Sequence, residues 1–294
     1  MGVARDYEER NMPTPAPAAG PTVVRRQLGR QLRRLRDTTR ASVDEVVAHR
    51  RLGISRAKLF KMEAGRHPVK PQDVAVLCAH YQASADETEQ LTALALATGG
   101  QSWWHVYGDD VPEWFSLYLE IEPAAAMIRT YESELIPGLL QTPEYARAVY
   151  QARNPDDSDY EIESRVALRI NRQAILTRAD PQPPALHVVL NEAAVRREVG
   201  GSDVMAEQIT RLRQVATRPN TTVSVLPLAG GAHAAMESAF VILDFPDPAE
   251  DPSVVYLDSP SSAAYLQKGV EIARYETIFR LVCCQAVPIL EYQP

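Results

Sequence analysis

Only three cysteines, Cys78, Cys283 and Cys284, stand in 294 residues. None has metal-ligand spacing and adjacent cysteines rarely pair with each other, so neither a zinc site nor a disulfide scaffold is expected, and a reduced, cytoplasmic chain fits best. No run approaches the roughly 18 apolar residues that a membrane span requires. Asp6, Glu8 and Glu9 near the start, with no apolar stretch behind them, speak against a signal peptide. A phosphate-cradling glycine loop, a nucleophile elbow and an internal repeat are missing as well. These absences turn attention away from secreted, membrane and nucleotide-hydrolysing proteins, and no cofactor is called for.

What is there is a division of charge. The net charge of −7 and pI near 5.5 argue against a nucleic-acid partner when taken over the whole chain. Residues 23–81, however, hold fourteen Lys/Arg against five Asp/Glu, while residues 82–294 hold fifteen against thirty. Such asymmetry marks a basic nucleic-acid reader joined to an acidic second domain.

Inside the basic part, Val24, Leu28, Leu32 and Leu35 recur at helical spacing among six arginines, which predicts one amphipathic helix with a cationic outer face. Ser42-Val43-Asp44-Glu45 has the form of a capping box and predicts a second helix from Val43. Leu52-Gly53-Ile54-Ser55 reads as a tight turn, with Ser55 as N-cap of a short helix over Arg56 to Ala64 and Gly65 as its stop. Leu59 and Met62 would face inward, leaving Arg56, Ala57, Lys58 and Lys61 outside, a set suited to phosphates, guanine edges and thymine methyls. Exposed cations on a helix are ordinarily no more than a solvated face; their clustering on one face within this arrangement reverses that expectation. Pro71 opens a fourth helix with Val74, Leu77, Cys78 and Tyr81 inward, and the box Ser84 to Glu87 opens a fifth.

With these residues the segment resembles the Cro/CI-like (XRE) helix-turn-helix family over about sixty residues: Leu28-Gly29, Leu32-Arg33, Leu35-Arg36, Ser42 to Ala48, Leu52 to Ser55, Lys61-Met62-Glu63 and Gly65. The resemblance implies that Arg56 to Ala64 is the recognition helix and that Arg36 and Glu63 form an ion pair tying the first helix to the third. Arg56, Ala57 and Lys58 would then reach base edges, and Lys61, Arg66 and Arg40 would hold phosphates. This sequence departs from the family at Arg40, where glycine is usual, and at Val43, where glutamine often contacts DNA. The turn's alanine and glycine are also one residue further apart than usual, so that either His49 takes the alanine position or helix two carries an extra residue.

Residues 1–22, rich in proline and alanine, form a tail expected to have no structure. Residues 99–114 hold three tryptophans and form a connector expected to pack down rather than stay in water. From Phe115 the pattern alternates: helices are predicted over Phe115 to Ile121, Pro143 to about Arg153 and Asp159 to about Arg178, then a strand over Leu186 to Leu190. A helix through Met205 to Ala216 follows, then strands over Thr222 to Leu226, Phe240 to Phe245 and Val254 to Leu257, and a last helix through Ile272 to Val282. The whole is thus an α+β protein. An all-α five-helix Cro/CI-like domain over 23–98 precedes a mixed α+β domain over 115–294 built on a small sheet, mixed or antiparallel.

The second part resembles the uncharacterised C-terminal domain of actinobacterial WhiJ-like regulators at Ile128 to Ala146, Asn191 to Ala194, Gly230 to Ala234 and Val255 to Leu257. That resemblance implies an antitoxin-like regulator with a small partner protein, and brings no catalytic residues. Glu122, Glu132 and Glu134 lie close in sequence and His233 sits among glycines, but acid/base chemistry needs groups within hydrogen-bond reach, which spacing does not supply. His187 is expected in a strand, His233 in a loop, and Glu192 in a first helical turn where it complements the dipole. The expectation is a non-enzymatic regulator that binds double-stranded DNA as a homodimer on an inverted repeat, its acidic domain meeting a small partner protein. The alternatives are a small-molecule sensor, or an enzyme tethered to DNA that uses Glu192 or His233.

Overall fold

The computed structural model describes residues 21–49, 52–63, 65, 69–97, 107, 111–249 and 251–293. One compact unit spans Ala19–Ser102 and a second holds Trp103–Pro294.

The first unit is helical: α1 (Pro21–Thr38), α2 (Val43–Ala48), α3 (Arg56–Glu63), α4 (Pro71–His80) and α5 (Ala85–Ala97). Helix α1 already includes Pro21 and Thr22, two residues of the expected tail. It ends in a Schellman closure, with Ala41 N–H bonded to Arg36 O and Arg40 N–H to Asp37 O, which places Arg40 at φ +54°. The capping box at Ser42 forms in full. Helix α2 closes at Ala48 with His49 as its C-cap. Leu28, Leu32, Leu59, Met62, Val74, Leu77 and Tyr81 are buried together, as their spacing predicts, and Val46 of α2 joins them.

The second unit carries a seven-stranded sheet in the order β6-β5-β4-β1-β2-β3-β7, from β1 (Met127–Glu132), β2 (Ala185–Asn191), β3 (Thr221–Leu226), β4 (Phe240–Asp244), β5 (Val254–Ser259), β6 (Ser262–Leu266) and β7 (Val287–Pro288). Strands β1, β2 and β3 run parallel, and the rest pair antiparallel. The sheet is mixed, one of the two forms left open by the sequence, and larger than the small sheet predicted. The strands without a sequence signal were β1, interrupted by Arg129, and the short edge strands β6 and β7.

Helices α6 (Glu113–Ile121), α7 (Pro143–Arg153), α8 (Asp159–Arg172), α9 (Glu192–Arg196), α10 (Ser202–Val215) and α11 (Gly269–Cys283) complete the unit. Alternate side chains split the core in two. Ile128, Leu186, Val188, Val223, Leu243 and Tyr256 join a core with residues of α6, α7 and α10, whereas Tyr131, Val189, Phe240, Ile242 and Val255 pack with Ile272, Phe279 and Val282 of α11. Burial on both faces explains why β2 reads as an almost unbroken apolar run. Arg129 is tolerated in the middle of the sheet because its guanidinium binds Asp244 at 2.7 and 2.8 Å and Glu276 of α11 at 3.0 Å. Of the expected connector, Tyr107 and Val111 are buried against Leu119 and Leu168, and Trp114 already belongs to α6. Trp103 and Trp104 lie outside the described residues.

Candidate DNA interface and a cleft in the second unit

The position of α3 is fixed by backbone contact. A Cβ on Gly29 of α1 would stand 2.4 Å from Met62 O, and one on Gly65 would stand 2.7 Å from the backbone of Arg26. Only glycine lets the two helices approach this closely, and Gly65 also adopts φ +65°. Arg36 then clamps the far end of α3, with Nε 2.6 Å and Nη2 3.1 Å from the two Glu63 oxygens. At the near end Ser55 Oγ accepts the Lys58 N–H at 3.2 Å. With Leu59 and Met62 buried, the outward arc of α3 holds Arg56, Ala57, Phe60 and Lys61, spaced one and four residues apart.

Phe60 is not among the outward residues expected from the sequence, yet the residue is 51 % exposed. An apolar residue falling outside the buried stripe of an eight-residue helix was the available signal. Arg56 pairs with Asp44 of α2, both largely solvent-exposed. Lys58 lies on the flank of α3, its Nζ 2.8 Å from Asp73 of α4. Lys61 makes no ion pair among the described residues, and Arg40 projects from the α1–α2 turn. Arg66 lies outside the described residues. The structure thus groups Arg56, Ala57 and Lys61 on one surface with Phe60, and sets Lys58 to the side.

In the second unit a cleft of about 800 Å³ opens between α6 to α8 and the sheet face carrying Ile128, Thr130 and Glu132. Its volume falls in the range of small-molecule sites. Phe115, Tyr118, Tyr150 and Tyr256 give it aromatic walls. Of the four arginines that line it, Arg153 is exposed and Arg197 pairs with Glu134 at the surface. Arg172 is committed to Glu122, which it meets at 2.8 and 3.0 Å with both side chains buried. Arg169 has no acidic partner: its Nη1 donates to Gln141 Oε1 at 2.7 Å, its guanidinium lies 4.3 Å from the centre of the Tyr150 ring, and its buried Nε–H has no acceptor among the described residues. Burial lowers its pKa. Gln141 is itself held, donating to Ile136 O at 2.6 Å, so the Arg169 head group is preorganised. Glu132 ends β1 on the cleft floor, where burial and the nearby Asp258 push its carboxyl up to about 8.

The groups considered for catalysis do not converge. Glu122 is taken by Arg172, and Glu134 pairs with Arg197 at the surface at 2.5 Å. Glu192 opens α9, where its carboxylate accepts the Leu228 N–H at 2.7 Å and meets Arg196 at 3.0 Å. His233 sits 3.4 Å from the Tyr131 hydroxyl, and His187 lies against Phe279 and Cys283 on the α11 side of the sheet. Among the described residues no cluster of His, Cys, Asp and Glu is arranged to hold a metal, and no helix is long and apolar enough to cross a membrane.

A helix held by its neighbours so that one short face stands free, following a tight turn, defines a DNA-binding helix-turn-helix regulator, and a helix-turn-helix domain model matches residues 27–91. The chain belongs to the DUF5753 family, described as a domain of unknown function, whose model matches residues 115–291, more than half of its length. Neither the curated proteins nor the solved structures returned a match.

Proposed function

We propose that the chain is a sequence-specific transcriptional regulator of the Cro/CI-like kind, acting in the cytoplasm as a homodimer on an inverted repeat, with its second unit supplying the regulatory input. The carrying observation is the exposed strip Arg56, Ala57, Phe60 and Lys61 on a helix locked by Gly29, Gly65 and the Arg36–Glu63 pair. Arg56 reads a guanine edge, and Ala57 and Phe60 meet thymine methyls. Lys61, Arg40 and Arg66 hold phosphates, and Lys58 joins either set once it leaves Asp73. Dimer half-sites lie about 34–36 Å apart, one helical turn.

For the second unit, the cleft favours a small-molecule ligand over the antitoxin-like partner protein. The dispersal of Glu122, Glu192 and His233 supports a non-enzymatic role. Selection of bound sequences from random duplexes by the full chain tests the DNA reading. Arg56→Ala and Phe60→Ala should each cost about 1–3 kcal/mol and relax preference at their own base pairs. Lys61→Ala should instead lower the salt slope of log affinity by about one without changing the preferred sequence. A bound pool with no enriched sequence sinks this assignment.

A further inference from the structure

The cleft between α6 to α8 and the sheet holds an imbalance that the fold does not resolve. Of the charges lining it, Arg172 is neutralised by Glu122 and Arg197 by Glu134, and Arg153, Glu198 and Asp258 are exposed to solvent, while Arg169, its head group drawn inward, has no carboxylate within ion-pair distance among the described residues. A guanidinium taken out of water without an anion is costly to the fold, and its preorganisation by Gln141 means that the position is built rather than accidental.

We infer that the cleft is a receptor for an amphipathic organic acid, whose anionic head pairs with Arg169 and whose apolar or aromatic body lies against Tyr150, Tyr256 and Phe115. The head group follows from the uncompensated cation. The body follows from the aromatic walls and from Ile128, Leu186 and Val241 on the sheet side, and the volume of about 800 Å³ admits a molecule of drug size. Glu132, which burial keeps protonated at neutral pH, presents a neutral carboxyl rather than a repelling carboxylate, so that it can donate to the ligand's acceptor. An organic cation would find Arg169 against it and Arg172 close by. This inference rests on reading the second unit as the regulatory half, but binding of the acid is measurable without DNA.

The test uses the full chain and the fluorescent aromatic anion 1-anilinonaphthalene-8-sulfonate at pH 6.5. One saturating site is expected. Naphthalene-1-acetate should displace the dye, and the size-matched cation 1-naphthylmethylamine should not do so at the same concentration. Arg169→Gln should weaken the dye at least tenfold. Ala152→Trp, placed on the exposed rim of the cleft on α7, should block the site while far-ultraviolet circular dichroism stays unchanged, and it carries the test if Arg169→Gln does not fold. Equal displacement by the amine, or parental dye affinity in whichever of these variants is folded, overturns the inference. Duplex binding measured on the same preparations separates the two readings: acid binding without DNA binding removes the regulator and leaves the receptor, and the converse removes the receptor alone.

Discussion

In the helical unit the ion pairs beside α3 are at the surface and exchangeable, Arg56 with Asp44 and Lys58 with Asp73. In the sheet unit the comparable pair is sealed: Arg172 and Glu122 have side chains only 9 % and 2 % exposed, stacked under Phe115 and Tyr118. The same residue types therefore do different work. A cation paired at the surface can trade its carboxylate for a phosphate at little cost, whereas one paired in the interior belongs to the fold. Arg36 with Glu63 is the exception in the helical unit; its part-buried clamp positions α3 without being available to DNA.

The sharpest way to break this contrast is to remove one acid from each side. Glu122→Ala leaves a buried guanidinium alone and should destabilise the second unit by about 3–5 kcal/mol. Asp73→Ala, which frees Lys58, should change stability by about 1 kcal/mol or less. Urea unfolding of both variants decides the matter, and equal losses would mean that burial is not what separates the two pairs.

Next in size is a pH effect confined to the sheet unit. The Glu132 carboxyl keeps its proton up to about pH 8 in the fold, against an ordinary value of 4.5. Between these values the unfolded chain is ionised while the folded chain still binds the proton, so the native state binds more protons and stability falls as the pH rises from about 4.5 to about 8. Glu132→Gln cannot ionise. Its stability relative to the parent should be near zero at pH 4 and should climb to roughly 2 kcal/mol at pH 8, once discounted for water in the open cleft. Melting temperatures of the pair across that range check it; a constant difference would place the carboxyl in water.

On the DNA side the effect is smaller. Asp44 stands at the start of α2 and holds Arg56 at the surface. Asp44→Asn removes both a competitor for the guanidinium and a charge that repels phosphate, and should tighten duplex binding about two- to fivefold at low salt, converging on the parent as salt rises. Unchanged affinity at every salt concentration would mean that Arg56 does not meet the duplex.

The helical unit was legible because its signals are local. Capping boxes at Ser42 and Ser84, the inward stripe of α1 and the Arg36–Glu63 pairing all depend on residues that a motif holds at fixed spacing. In the sheet unit the local signals worked for Thr142 and Ser158, which cap α7 and α8 as their sequences suggested, and for the apolar run of β2. They failed at β1, where Arg129 breaks the pattern and its compensation by Asp244 and Glu276 comes from 115 and 147 residues away. The cleft was invisible for the same reason: Glu132, Arg169, Tyr256 and Phe115 meet only after the parallel crossovers have formed. Phe60, by contrast, lay within reach of the sequence, since the helical period already placed it beside Arg56 and Ala57.

The smallest effect separates fold from binding at one residue. Arg40 adopts φ +54° in the closure of α1, a conformation that costs a side-chain-bearing residue about 1 kcal/mol and glycine almost nothing. Arg40→Gly should therefore stabilise the helical unit by up to about 1 kcal/mol in urea unfolding. If Arg40 also holds a phosphate, the same variant should bind duplex more weakly, with a salt slope lower by about one. A gain in stability with unchanged DNA binding would leave Arg40 a strained residue without a role at the interface. A gain accompanied by weaker binding would show why arginine stands at a turn whose geometry favours glycine.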